Sequence, residues 1–194
     1  MLISAGSLLV GLPTHDGRAM VHSLTALSRV GSALGRPVQF LIGEAGSIPR
    51  SRNLVLDMAR RRPEVDDVTW ILWLDSDILI PADAVDAMVH AILWSESTDK
   101  SWVAHYRMAD GTSVLMREKS AHARHYTADE IQQLDNFAEV GLAGLGLAYI
   151  KTDVRYIFHS DELGEDVHFF LDQPHLTIHL AKDIRVLHRK AVLI

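Results

Sequence analysis

The chain of 194 residues contains no cysteine. Disulfides, thiolate zinc sites, iron–sulfur clusters and a cysteine nucleophile are therefore excluded, and the absence is compatible with a reducing, cytoplasmic interior. Long hydrophobic runs are missing as well. The longest stretch without a charged or strongly polar side chain, Val140 to Ile150, spans eleven residues and includes three glycines, whereas a membrane helix needs about 20. No membrane span is expected. The apolar beginning, Met1 to Leu12, has no basic flank, since the first positive charge is Arg18. It runs into Pro13-Thr14-His15-Asp16-Gly17 instead of a small-residue cleavage site, so it reads as a first strand and not as a secretory signal. Repeats, linkers and low-complexity tracts are also absent.

Basic residues are scarce beyond the first third. Residues 1–62 hold eight Arg and three acids, a balance of +5, and the remainder is left at −11 within a net charge of −6. A basic N-terminal part attracts phosphates, while the acidic remainder opposes non-specific wrapping of a nucleic-acid backbone. A small anionic ligand fits that asymmetry. With 48% hydrophobic and 23% charged residues, the chain has the composition of one globular domain with a full-sized core.

Ser7 to Leu12 reads as a buried strand, and Met20, Val21, Leu24, Leu27 and Val30 follow at helical spacing. Val38 to Ile42 gives a second strand. Leu54, Val55 and Met58 give a short helix ending at Arg60-Arg61-Arg62, where cations suit the dipole. Thr69 to Leu74 is a continuous apolar run, as expected of a strand covered on both faces, and Pro81 opens a helix through Leu93. This βαβαβα order predicts parallel strands with helices on both faces and a ligand site outside the carboxyl ends of the strands. After a strand at Trp102–Tyr106 the pattern weakens, and residues 107–126 are expected to form a mobile loop. Thr127-x-x-Glu130 is a capping box. Short strands are expected near Phe137–Leu142, Leu147–Ile150, Leu176–His179 and Arg185–His188, with a separate segment at Glu165–Leu171.

Asp75-Ser76-Asp77 follows the apolar third strand directly. In a chain with seventeen aspartates an Asp-x-Asp pair arises by chance, so its place carries the information. Residues i and i+2 of an extended chain point to the same side, which aims both carboxylates at one place. Like charges there repel unless a cation lies between them, and carboxylate oxygens suit Mg²⁺ or Mn²⁺. The plainer alternative is a solvated turn with Asp77 near the start of the next helix.

Taken with other segments, this element resembles the metal-dependent glycosyltransferases of the GT-A fold, particularly the small family-2-like enzymes, some of them encoded by phages. Leu12-Pro13-Thr14-His15-Asp16-Gly17 looks like the family's donor-binding loop, and Ser51-Arg52-Asn53 resembles the small-Arg-Asn signature before the metal strand. Gly141-Leu142-Ala143-Gly144-Leu145-Gly146 looks like its glycine-rich acceptor-side loop. Gly164-Glu165-Asp166 is similar to the acidic x-Glu-Asp element, and Val186-Leu187-His188 to the strand ending in a metal-binding His. The ordered set spans residues 7–188.

The resemblance implies one α/β domain over residues 1–194, with a Rossmann-like, mostly parallel sheet flanked by helices. Residues 1–100 would form the nucleotide-sugar half and 101–194 the acceptor half. It implies metal-assisted, inverting transfer from a UDP- or GDP-sugar. Mn²⁺ or Mg²⁺ would be held by Asp75, Asp77 and His188, and the donor by Pro13, Thr14, His15, Asp16, Arg52, Asn53, Asp75 and Ser76. Gly144 and Gly146 would border the acceptor, and Asp166, with Glu165, would take the proton of the attacking hydroxyl. The acceptor stays open between a glycan, a protein side chain and a modified base of nucleic acid. Compared with larger members of that family the chain has no C-terminal extension beyond Ile194, so the acceptor itself or a second subunit, as in a homo-oligomer, is expected to complete the site.

Read from the residues alone, each assignment has a plainer counterpart. Asp16 fits a helix N-cap, Glu165-Asp166 an exposed helix start, and Arg52 one more surface arginine. The three glycines fit strand packing, Trp94 and Trp102 fit core positions, and His122 and His125 a polar loop. A nucleotidyltransferase and a non-catalytic sugar-nucleotide or glycan-binding module are the rival functions.

Overall fold

The computed structural model describes residues 6–14, 16, 18–108, 110–159 and 162–188. Val10, Ile71, Leu72 and Trp73 have no exposed surface, because the first and third strands lie mid-sheet with helices over both faces. Strands β1 (Leu8–Thr14), β2 (Val38–Glu44) and β3 (Val68–Leu74) alternate with helices α1 (Val21–Leu34) and α2 (Ile48–Arg60), as the apolar runs predict. The short β4 (Ile78–Leu79) and α3 (Val85–Thr98) follow. Both β2 and β3 pair in parallel with β1. The chain thus leaves β1 to one side and returns on the other, and right-handed crossovers put α1 and α2 on opposite faces. The carboxyl ends of β1 and β3 flank the crevice where the strand order reverses, the usual binding position in such sheets.

The remaining elements are β5 (Ser101–His105), α4 (Ala128–Gln133), β6 (Glu139–Val140), β7 (Leu147–Asp153), α5 (Glu165–Leu171), β8 (Ile178–Arg185) and β9 (Leu187–His188). The main sheet runs β2-β1-β3-β7-β5-β8-β6. Strand β7 is antiparallel to both its neighbours, β5 and β8 are parallel, and β6 is antiparallel to β8. Five of the seven strands therefore share one direction. The result is a single Rossmann-like α/β domain with a mostly parallel sheet. No helix among the described residues is long and apolar enough to cross a membrane.

Two expectations from the sequence need correction. The two short strands near 176–179 and 185–188 are instead one eight-residue β8 followed by the two-residue β9, which pairs with β4 outside the main sheet. The segment 107–126, expected to stand off as a mobile loop, packs into the core over its described residues. Val114 and Leu115 are buried in the core, and Met116 bridges both His125 and Leu142. Its apolar residues are too few for a period yet suffice to anchor an irregular segment. Trp102 is fully buried and Trp94 stacks on Phe137, so both serve the core. The capping box forms, with Thr127 and Glu130 each bonded to the other's backbone amide.

Helix α2 approaches β2 closely enough that a Cβ on Gly43 would press into the Ser51 carbonyl and touch Val55. Gly43→Ala is expected to displace α2 and cost about 1–3 kcal/mol, read as a lower midpoint in urea. An unchanged midpoint would refute the close approach.

Candidate functional site

Helix α2 begins beside the end of β1. Ser51 is buried and donates to the Thr14 carbonyl at 2.9 Å. The next residue, Arg52, is turned inward and has no exposed surface. Its guanidinium meets Asp75 Oδ1 at 3.1 Å, Asp166 Oδ1 at 3.2 Å and Glu165 at 3.7 Å. Trp73 and Phe158 present ring faces to it at 5.5 and 5.7 Å. A buried cation needs such company, since desolvating an unpaired charge is prohibitive. One positive charge thus faces three carboxylates.

These carboxylates come from different parts of the chain. Asp75 follows β3, and its amide donates to the Gly146 carbonyl at 2.8 Å. Glu165 and Asp166 open α5 after Gly164, whose φ of +85° suits a residue without Cβ. Asp166 Oδ2 accepts from the Leu145 amide at 3.0 Å. Burial pushes the Asp166 carboxyl up to about 7 from an ordinary 3.8, against the pull of Arg52. Burial raises Asp75 too, with Asp77 and Glu165 adding to it.

Asp77 lies on the far side of this cluster. His188 Nε2 is 3.2 Å from Asp77 Oδ2, and His188 stacks on Tyr106 with centroids 5.5 Å apart. The β4–β9 pairing sets Ile78 opposite His188. Buried Ser23 of α1 fixes β4 by donating to the Ile78 carbonyl at 2.7 Å and accepting from the Ile80 amide at 3.0 Å. His188 Nδ1 is buried with no hydrogen-bond partner among the described residues. A carboxylate oxygen and an imidazole nitrogen 3.2 Å apart stand at the spacing of two neighbouring ligands of one divalent cation. Asp75 does not complete a tight three-ligand set with them, because Arg52 holds its carboxylate. Its atoms are absent from the one three-residue group of His, Asp or Glu within 4.8 Å among the described residues.

Several expected contacts take other roles. Pro13 and Thr14 are buried in β1. Thr14 Oγ1 accepts from the Asp16 amide at 3.3 Å, and Asp16 Oδ1 accepts from the Arg18 amide at 3.1 Å. Asp16 is thus the exposed member of that loop and not the cap of α1, whose N-cap is Met20. His15 lies outside the described residues, and Ser76 is half-buried between the two aspartates. Asn53 is committed to structure: its amide donates to the Phe158 carbonyl at 2.9 Å and accepts from the Phe158 amide at 2.7 Å. Arg52, being fully enclosed, organises carboxylates and has no open face toward a ligand. A Cβ on Gly144 or Gly146 would meet the Tyr106 hydroxyl, so the space these glycines leave is filled by protein.

Tyr106 and Phe158 were not singled out by sequence reasoning. Tyr106 accepts from the Gly146 amide at 3.1 Å, and burial holds its phenol well above the ordinary value, hence protonated. The available signal was its place at the end of a buried strand; Phe158 gave none. Beside His188 and Tyr106 opens a cleft of about 600 Å³, lined also by His105, Arg107 and Arg185.

Fold and site together define a Rossmann-like α/β protein with a carboxylate cluster at the switch point of its sheet. No family model and no curated protein matches the chain. Among solved structures it is similar to the crystal structure of A197 from STIV, at 16% identity and a TM-score of 0.60, over 94% of this chain and 85% of that one. Likeness at that identity speaks for the fold alone.

Two outcomes are expected for the metal-free protein. Arg52→Met leaves buried carboxylates without their cation and should cost about 3–5 kcal/mol, read by urea denaturation; a loss below about 1 kcal/mol would refute Arg52 as the hub. Because the native Asp166 carboxyl is raised to about 7, the folded state holds a proton that the unfolded state releases. That contribution is full below the ordinary value and is lost as pH rises through about 7. Asp166→Asn should therefore gain stability on the wild type between about pH 4 and pH 8, and parallel pH profiles would contradict this.

Proposed function

We propose that the chain is a metal-dependent glycosyltransferase of the GT-A type, moving a sugar from a nucleotide-diphosphate donor to an acceptor with inversion. The observation that carries this reading is the uncompensated negative charge at the switch point. Arg52 offsets one of three carboxylates, and Asp77 adds another beside His188. Such a surplus favours a divalent cation, and the mixed carboxylate–imidazole pair favours Mn²⁺ over Mg²⁺, which prefers all-oxygen ligands. Asp77 and His188 would hold the cation, with Asp75 alongside. When bound, it would counter the charge developing on the departing diphosphate.

The chain's own groups supply the rest. Asp166, with a carboxyl raised to about 7, is matched to accept a proton near neutrality. The acceptor hydroxyl passes its proton to Asp166 as its oxygen attacks the anomeric carbon from the face opposite the leaving diphosphate. Arg52 and the Leu145 amide fix the carboxylate for that transfer. The cleft beside His188 and Tyr106 gives the acceptor a path to the same place, and its Arg107 and Arg185 favour an acceptor carrying negative charge.

The test is a panel of UDP- and GDP-sugars with Mn²⁺. Release of nucleoside diphosphate supports the reading, and release of pyrophosphate assigns a nucleotidyltransferase instead. Binding without turnover of any donor would reduce it to a binding module. Asp77→Ala should abolish the cation dependence of nucleoside diphosphate binding by calorimetry; equally tight wild-type binding in excess chelator would overturn the metal's role. Asp166→Asn should slow transfer by roughly 10²- to 10⁴-fold with donor affinity nearly unchanged, and near-normal turnover would remove Asp166 as the base.

A further inference from the structure

Helix α5 carries a second set of chemistry-bearing side chains at its other end. His168 and Asp172 are four residues apart and share one face of the helix and its last turn. His159, on the segment leading toward the helix, meets them there. His159 Nε2 is 3.1 Å from Asp172 Oδ2, and the His159 and His168 rings are 4.5 Å apart, tilted by 45°. One donor atom from each of the three residues lies within 4.8 Å of the other two. The Tyr156 hydroxyl also donates to Asp172 Oδ2, at 2.9 Å.

We infer that His159, His168 and Asp172 form a binding site for a borderline transition cation of the zinc class, separate from the pair Asp77–His188. The donor set decides the class: two imidazoles and one carboxylate suit Zn²⁺, Co²⁺ or Ni²⁺, whereas Mg²⁺ and Ca²⁺ take oxygen ligands. Spacing agrees. Ligands about 2.0–2.1 Å from a tetrahedral ion stand about 3.3 Å from one another, so small side-chain rotations close this group. Tyr156 occupies the outer position that orients a ligating carboxylate. With His159 53% and Asp172 44% exposed, the ion is reachable and a water can fill its fourth position.

A cation here ties together two supports of the Arg52 hub. His159 follows Phe158, whose backbone is clamped by Asn53 and whose ring covers Arg52. His168 lies in the last turn of the helix whose first turn supplies Glu165 and Asp166, and Asp172 is the C-cap of that helix. The ion would cross-link these segments, and its binding energy would add to folding stability. This assignment stands whether or not the chain transfers sugars.

The test uses the full chain after chelator treatment, with metal salts alone. In Asp77→Ala protein, where the pair Asp77–His188 is broken, Co²⁺ should produce visible ligand-field bands that saturate at one equivalent, are lost on adding Zn²⁺ and persist in excess Mg²⁺. Zn²⁺ should raise the thermal midpoint. His159→Gln, at an exposed position that leaves the fold intact, and His168→Gln should each weaken Zn²⁺ binding by at least about tenfold, and Tyr156→Phe by about 10- to 100-fold. Absence of the bands and of any Zn²⁺-dependent stabilisation would overturn the site. So would bands that survive His159→Gln and His168→Gln but vanish in Asp77→Ala.

Discussion

The buried guanidinium of Arg52 is the interaction on which the candidate site depends. A cation with no exposed surface, held by Asp75, Glu165 and Asp166, brings α2, the end of β3 and the start of α5 to one point. Each element reaches that point for its own reason. Apolar burial carries β3 to mid-sheet, close packing at Gly43 and Ser51 seats α2, and Asn53 clasps the backbone before α5. Trp73 and Phe158 then cover the cation with π faces, which are tolerant of positive charge and exclude water. Desolvation makes every charge in this group more costly to leave unpaired.

That cost explains why the cluster is lopsided in sign. A fully neutralised network would be a structural ion pair, and its partners would sit at ordinary acidic values. Here Arg52 is outnumbered, so Asp75 and Asp166 are raised although a guanidinium touches both. Desolvation and mutual repulsion together outweigh one attraction. A centre of that kind has two ways to relax, by taking up a proton or by taking up a cation, and both are useful to a group-transfer reaction.

The βαβαβα half was legible because parallel strands covered on both faces leave continuous apolar runs, and each run here is followed by helical spacing. The aspartate pair was legible through its place after such a run. Long-range relations were not. Nothing local marks β7 as antiparallel between β3 and β5, or separates an eight-residue β8 from two shorter strands. Of the groups that enclose Arg52, Phe158, Glu165 and Asp166 lie more than a hundred positions away, so its burial is not marked locally. Asn53 likewise shows its role only against Phe158. In Ser51-Arg52-Asn53, Arg52 and Asn53 are expected to face a donor, whereas both side chains face the protein. The glycines at 144 and 146 teach the same point, since the room they leave is used by Tyr106 from another strand.

Labour is divided within the cluster. Arg52, Tyr106 and Ser51 are enclosed by the fold and set geometry, whereas Asp75, Asp77, Asp166 and His188 keep part of their side chains exposed. Helix α5 links the two roles. Its first turn delivers Glu165 and Asp166 to Arg52, and its last turn delivers His168 and Asp172 to His159. Seven residues are too few for a helix to hold its own position by propensity alone, so its placement rests on contacts at both ends. Phe169 supplies the apolar part by packing on Tyr156 and Phe158, with Phe170 buried beside it. The same short helix thus carries side chains to Arg52 at one end and to His159 at the other.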